Sequence, residues 1–407
     1  MRLRPDSPIF TVLLGGLAAL PSWAIDTVLP AVPAIGQQLA ASSAQIGFTI
    51  AAFMAGLAVG QLIFGPLSDR FGRRPSLLAG LALSVLSSLA CALTQSVAAM
   101  ILWRLLGGLG AAATVTIVFA IVRDLFDGPQ ARARFAIVNM VFGVAPVVAP
   151  AIGSWILASF GWRGIFGALA IIGSALGVLV LAAFGESAAR ATKSVSIAGR
   201  YAPVLANRAF VARVLVDALS FGAMFTFVAG SSLVLMTGFH VDAGTFSLLF
   251  ACAALGGMTG AWVNRPLSRR RVRAGAIVDW GLGLSAANAV LLVALWSAGL
   301  AGVATMMPGM VLALFCRGLV MPSLTEAALE PMGDRAGAAS GVLGCFEIIA
   351  GTTASALVSL LFSSLGAGSM ALTMALFACA ALALWRLLVR PGLGRPGRVQ
   401  AERPGVQ

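Results

Sequence analysis

Apolar runs of about 20 residues recur along the whole chain, each closed by a short polar segment. That is the length a helix needs to cross about 30 Å of hydrocarbon at about 1.5 Å per residue. The runs fall at 9–33, 45–65, 76–95, 98–122, 135–158, 164–185, 209–235, 243–263, 275–298, 301–325, 336–362 and 366–388. None shows strand-length alternation of apolar and polar positions between turns. Helices are therefore expected rather than a barrel. The predicted class is an all-α polytopic membrane protein with twelve transmembrane helices.

The longest polar break runs from Glu186 to Arg208 and holds Lys193, Ser194, Ser196 and Arg200. It divides the chain into an N-terminal six-helix bundle (1–185), a linker (186–208), a C-terminal six-helix bundle (209–388) and a basic tail (389–407). The halves echo each other. Gly65-Pro66-Leu67-Ser68-Asp69-Arg70 follows the second run, and Arg265-Pro266-Leu267-Ser268-Arg269-Arg270 follows the eighth. Two parallel repeats related by an axis along the membrane normal place a substrate site at the midplane between them. The first run, with Arg2 and Arg4 before it and Ser22-Trp23-Ala24 inside it, has features of a cleavable signal peptide. Removing it would leave eleven spans and scatter the basic loops over both faces, so it is read as a span.

Composition agrees. Hydrophobic residues make up 59% of the 407 positions and charged ones 10%, with a mean hydropathy of +0.98. A soluble domain would leave much of that apolar surface in water. The net charge of +13 would suggest nucleic acid on a soluble protein, but its placement excludes that reading. All but Arg104, Arg163, Arg213 and Arg317 of the 27 basic residues lie at the termini or in alternate inter-span segments. By the positive-inside rule both termini are cytoplasmic, and the tail can touch anionic lipid headgroups. Arginine takes all basic positions but Lys193, which suits a GC-rich bacterial genome and an inner membrane. The 5 cysteines (Cys91, Cys252, Cys316, Cys345, Cys379) are scattered through apolar runs, and His240 is the single histidine, so neither a disulfide framework nor a metal cluster is expected.

Residues 65–75 read Gly-Pro-Leu-Ser-Asp-Arg-Phe-Gly-Arg-Arg-Pro. This resembles the loop signature of the major facilitator superfamily, G-x-L-[SA]-D-R-x-G-R-[RK]. The glycines allow a tight turn, and Asp69 can accept from arginines or cap a helix. The resemblance implies a gate loop of Gly65, Asp69, Arg70, Gly72, Arg73 and Arg74, joined by Asp124 beside Arg123, latching the two bundles on the cytoplasmic side. Further stretches are similar to the Bcr/CflA branch of drug–proton antiporters: Asp26-x-x-x-Pro30-x-x-Pro33, Arg104 with Gly110, Gly161-Trp162-Arg163, Ala229-Gly230-Ser231-Ser232 and Gly337-Ala338-Ala339-Ser340-Gly341. The likeness covers about residues 10–385. Span 5 resembles the antiporter signature G-P-x-x-G-G but reads Ala149-Pro150-Ala151-Ile152-Gly153-Ser154, preceded by Gly143 and Pro146. The prolines keep the kink, and small residues keep close packing. Where the family usually has Gln three residues after its span 4 arginine, this chain has Gly107, so a polar group expected to face the cavity is missing.

Ionisable residues inside spans are functional hypotheses by default. Asp26, before the Pro30 break, is the leading proton carrier; the alternative is a solvated boundary residue capping the next segment. For Arg104 the resemblance implies a role in sensing or modulating that acid. The alternatives are a structural ion-pair partner or a snorkelling side chain, and Arg317 is its rough counterpart in the second half. Glu347 is a second proton site, a cation-attracting group or a protonated glutamine mimic. Asp217 and Asp279 are placed near the cytoplasmic ends and read as solvated helix ends. Trp23, Phe53, Phe142, Met224, Phe225 and Phe227 can line an apolar pocket, or face lipid and other helices.

These features predict alternating access between two bundles, exporting a small drug-like molecule of phenicol, bicyclomycin or sulfonamide type in exchange for protons. No cofactor beyond the coupling proton is expected. The partners are substrate and bilayer, not nucleic acid, and the chain is expected to function as a monomer. A rival reading keeps the fold and changes the cargo to a sugar, amino acid or siderophore. A remoter one is a membrane enzyme or receptor, but there is no Ser/His/Asp set, and Gly107-Gly108-x-Gly110 lies mid-span where no phosphate cradle belongs.

Overall fold

Helices fill nearly all of the computed structural model, which describes residues 7–186, 197–270 and 272–393. Arg2, Arg4, Lys193, Ser194, Ser196 and the tail beyond 393, on which part of the charge argument rests, lie outside the described residues. Eleven stretches are long and apolar enough to cross a membrane. They are α1 (Pro8–Gln38), α2 (Ser43–Phe71), α3 (Arg73–Leu93), α4 (Val97–Leu125), a long stretch discussed next, α7 (Arg208–Gly238), α8 (Ala243–Arg269), α9 (Ala274–Ser297), α10 (Val303–Leu329), α11 (Ala336–Leu365) and α12 (Ala367–Val389). The long stretch, Gly128–Ala183, has 56 residues, which as one rod would span about 84 Å, more than twice the hydrocarbon thickness. It is folded at Gly161, whose φ of 68° and ψ of 178° suit glycine alone. Its limbs, α5 (128–160) and α6 (162–183), bring the total to the twelve expected.

Local chemistry sets the ends. Ser42 and Gln45 form a capping box that starts α2, with bonds of 3.2 and 2.9 Å. Asp242 caps α8 by accepting from the Gly244 and Thr245 N–H groups at 2.9 and 3.0 Å. Hydrogen bonding from Thr245 above all holds that carboxyl below the ordinary carboxylate range. Helix α1 is interrupted: its first limb ends at Asp26, a 3-10 turn covers Leu29–Ala31, and a second limb runs Val32–Gln38. Pro30 and Pro33 each sit in a first turn, where the missing N–H costs nothing.

Each half is built on a glycine-mediated crossing. A Cβ on Gly56 of α2 would fall 1.9 Å from the Leu105 carbonyl oxygen, and one on Gly108 of α4 1.9 Å from that of Phe53. The second half repeats this between α8 and α10. A Cβ on Gly260 would lie 2.1 Å from the Phe315 oxygen, and one on Gly318 2.0 Å from that of Gly257. Small residues let helix backbones touch where lipid removes the usual hydrophobic drive. The internal repeat is thus a structural one.

The end carrying the Gly65–Pro75 segment is called the loop end below, the opposite one the far end. Toward the far end a single apolar core joins the halves, running from Val28 and Leu29 of α1 to Leu233 and Val234 of α7 and Phe246 of α8. Toward the loop end the core separates. Phe10, Leu14, Ile121 and Phe184 belong to an N-half cluster, whereas Val214, Val342, Val278 and Trp385 belong to two C-half clusters. Helices α2 and α11 remain in contact along their length, Gly47 against Ser359, Gly351 against Met54 and Gly344 against Gln61.

Candidate functional site

At the loop end Gly72, with φ of 101°, turns the chain from α2 into α3. Arg73 then forms the centre of a network. Its guanidinium donates to Asp69 and to Ser68 Oγ, and its Nε donates to Asp124 at 2.7 Å. Glu186, at the start of the linker, accepts from the backbone N–H of Arg73 at 2.8 Å and of Arg74 at 3.3 Å. Arg74 also donates to the Leu181 carbonyl at 2.6 Å. Asp69, Gly72, Arg73, Arg74 and Asp124 are therefore brought together. Arg70 is not: it is exposed and stacks over Phe71. The expected latch between bundles takes a different form. The ring ties the N half to the linker, while contact with the C half passes through Arg123, packed against Gly337, and through Tyr201 of the linker helix Ile197–Leu205, which lies near Gly65 and Gly341.

In the N half Asp26 closes the first limb of α1 and is only 5% exposed. Among the described residues its carboxylate has neither a hydrogen bond nor an ion pair. The broken backbone beside it is backed by α5, where a Cβ on Gly153 would lie 2.2 Å from the Thr27 carbonyl oxygen. Pro146 and Pro150 lie within the same helix, and Gly143 has open space around it. Arg104 is buried in this half. Its Nη1 donates to the Ala24 carbonyl at 2.9 Å, its Nε to that of Thr49 at 3.4 Å, and the guanidinium lies 4.3 Å from the Phe53 ring centre. It neither snorkels nor pairs with a carboxylate among the described residues. Gly107 faces Ser87 of α3 and Phe53, so a side chain there would enter the half-bundle and not the space between halves.

The C half holds a different arrangement. Arg317 Nη1 donates to Asp217 Oδ1 at 2.7 Å, and Nη2 bonds to Glu347 Oε1. One guanidinium thus holds both carboxyls. Asp217 is fully buried, which corrects its reading as a solvated helix end. Three helices, α7, α10 and α11, each contribute one charge. Asp279 keeps the helix-end position expected, beside Arg386 at 3.3 Å and Arg390 at 3.6 Å. Nor is Arg317 the counterpart of Arg104. The matching glycine contacts set Gly318 against Gly108, so Arg317 corresponds to Gly107, nearly one helical turn further along.

Glu347 shares a helix face with Gly344 and Gly351, three and four residues away, and that face meets α2. Phe221 and Phe225 stack at 5.6 Å beside it. Phe225 thus lies at the junction of the halves, whereas Phe227 is buried against Phe250 within the C half, and Phe142 is 38% exposed.

Hydrogen bonds between the halves join α5 to α8 at the far end. Ser154 Oγ is 2.7 Å from Ser247 Oγ and donates to the Ala243 carbonyl at 2.8 Å, while Ser247 donates to that of Pro150 at 2.9 Å. Ser154 stands where the antiporter signature carries glycine, so the substitution adds a polar clasp. Neither this clasp nor the role of Asp217 was seen in the sequence. Asp217 was within reach of it: three charges buried in one half imply that they compensate each other.

The family model of the Major Facilitator Superfamily matches residues 12–354. The chain is 33% identical over 363 residues to the uncharacterized MFS-type transporter YdgK of Bacillus subtilis, covering 86% of this chain and 88% of that protein. It is 30% identical over 370 residues to the multidrug resistance protein MdtL of Klebsiella pneumoniae, covering 90% and 91%. Among solved structures, a POT family transporter in complex with 5-aminolevulinic acid superposes with a TM-score of 0.76 at 13% identity, covering 95% of this chain and 97% of that one. A D-xylose–proton symporter does so with 0.71 at 16%, covering 93% and 98%. At those identities the structural likeness shows the fold alone.

Proposed function

This chain belongs to the Major Facilitator Superfamily, and from that premise we propose that it is a proton-coupled antiporter of the Bcr/CflA branch, exporting small drug-like molecules across a bacterial inner membrane. The loop end faces the cytoplasm, with both termini, and the chain works as a monomer. The observation that carries the reading is Asp26, a carboxyl buried without a partner among the described residues at the break of α1, where Gly153 of the antiporter-like span holds the backbone. An isolated acid in an apolar bundle is costly as an anion and serves transport if it gains and loses a proton during the cycle. Glu347, bound to Arg317 beside the face that meets α2, is the second proton-handling group. The MdtL relatives, called multidrug resistance proteins, support a drug as cargo.

In this scheme the transporter opens toward the cytoplasm at the loop end, where the apolar core is divided between the halves, and the far-end contacts of α1, α5, α7 and α8 close the other side. Drug binds the form with Asp26 deprotonated. Proton uptake from outside weakens drug binding and favours release. Each ligand shifts the equilibrium only by its differential affinity for the two forms. A gradient of one pH unit supplies about 1.4 kcal/mol per proton, and about 100 mV adds about 2.3 kcal/mol per charge moved.

A survival panel in an efflux-deficient bacterium tests the cargo, with phenicols, bicyclomycin and a sulfonamide. Protection by the wild type and not by Asp26→Asn at equal membrane levels is the expected result. No protection by an inserted wild type would overturn drug export and select a metabolite as cargo.

A further inference from the structure

The N half contains a small cavity lined by residues of α1, α2, α3, α4 and α6, among them Phe53, Ser87, Cys91, Trp103, Arg104 and Phe166. It lies inside the half-bundle, on the side of α4 toward which Gly107 points, and is thus distinct from the space between the halves. Two of its polar groups are buried with no hydrogen-bond partner among the described residues, Arg104 Nη2 and Ser87 Oγ. Both can donate, and both residues line this cavity.

Charge identifies what they fit. Arg104 is 3% exposed, and the groups that accept from it are backbone carbonyls of Ala24 and Thr49, which are neutral. The Phe53 ring offsets part of its charge. No carboxylate lies within ion-pair distance among the described residues, so the guanidinium is a buried cation without a counter-charge. Such a charge is among the costliest features a bundle can carry. Much of the remaining lining is apolar, including Leu20, Phe166 and Leu169, which strengthens any ionic contact made there. The space admits little more than one water-sized particle and no drug.

We propose that this cavity is a binding site for a small monovalent anion of chloride size, held by Arg104 Nη2 and Ser87 Oγ. The anion supplies a counter-charge in contact with Arg104, which no carboxylate among the described residues provides. The C half needs none, because Arg317 is held there by two carboxylates. The site does not depend on the identity of the cargo or on proton coupling.

Purified full-length protein in detergent, without drug, tests the proposal. Its thermal midpoint is followed in sodium chloride and in sodium gluconate at equal ionic strength, alongside equilibrium binding of radiolabelled chloride. The expected result is a rise of the midpoint with chloride concentration and about one chloride bound per chain, the rise following the logarithm of anion concentration above Kd. Ser87→Ala, which removes one donor, weakens chloride binding. Gly107→Gln, which has ordinary contact room at its Cβ and places a carboxamide in the cavity, abolishes both effects. Equal midpoints in the two salts with no bound chloride would mean that water alone serves Arg104, and would overturn the site. So would a chloride effect of undiminished size in both variants, which would mark a general salt response of a basic protein.

Discussion

The two halves share one backbone plan and handle buried charge in opposite ways. In the C half Arg317 is gripped by Asp217 and Glu347 from neighbouring helices. In the N half Arg104 and Asp26 are both buried, yet neither has an ionic partner among the described residues. The glycine crossings that build the halves are alike to within a few tenths of an ångström. The difference therefore lies in the side chains set on a common frame, not in the frame. A cluster of one cation and two carboxyls is one charge short of neutral until it takes up a proton. A lone acid and a lone cation are each free to respond to a proton or a ligand.

The sharpest test removes the cation from each half. Arg317→Ala leaves two carboxyls facing each other in an apolar bundle and is expected to cost about 3–5 kcal/mol, the range for breaking a buried pair. Arg104→Ala loses two hydrogen bonds and a ring contact but strands no opposite charge and relieves an unpaired buried cation, so its cost should stay below about 3 kcal/mol. Thermal unfolding of both variants in detergent checks this, and equal losses would erase the distinction between the halves. Adding Glu347→Gln to Arg317→Ala should recover part of the loss, since one of the two repelling charges is then gone.

Asp26→Asn sharpens the same contrast on the functional side. No bond is lost with the charge, so stability should hold or rise. Drug-driven proton release in vesicles should fall to the level of vesicles without the protein. Retained proton coupling in Asp26→Asn would move that role to Glu347 and the C half.

Much of this arrangement was legible in the sequence and some was not, for a physical reason. Span positions follow from composition over about twenty residues, and the loop network from an eleven-residue segment, so both are local. Helix rotation and pairing between distant helices are not. Asp217 and Arg317 are 100 residues apart, and Arg317 and Glu347 are 30 apart. Nothing local to Asp217 distinguishes it from a solvated helix end. Likewise Gly107 reads as cavity-facing until the rotation of α4 turns it toward Ser87. The break at Asp26 was readable because proline writes it into the chain directly.

Gly153 tests whether the N-half break needs its support. A valine there would force carbons into the Thr27 carbonyl oxygen, which lies 2.2 Å from the glycine's missing Cβ. An overpacking cost of about 1–3 kcal/mol is expected, with α1 pushed away from α5. Drug binding, followed by equilibrium dialysis, should weaken along with it. Gly143→Ala on the same helix meets nothing within 4 Å and should be neutral. Matching effects at the two positions would show that helix propensity, and not the contact with Thr27, sets the requirement.

The smallest effect concerns how the halves are joined. Ser154 and Ser247 bind across the far end, and a glycine at 154 would restore the antiporter signature while removing the clasp. A side-chain hydrogen bond of this kind contributes about 0.5–1.5 kcal/mol net. Ser154→Gly should therefore shift the balance between far-end-closed and far-end-open forms by roughly two- to tenfold, with little change in overall stability. Spin labels on the far-end segments of α5 and α8 read that balance as a growing long-distance population. The shift has a direction as well as a size. A clasp that favours the form open to the loop end slows return to the outward form, so its removal should speed drug release outward if that step limits turnover. Unchanged label distances in Ser154→Gly would mean that the apolar contacts of Leu29, Leu233 and Phe246 close the far end without help from the serines.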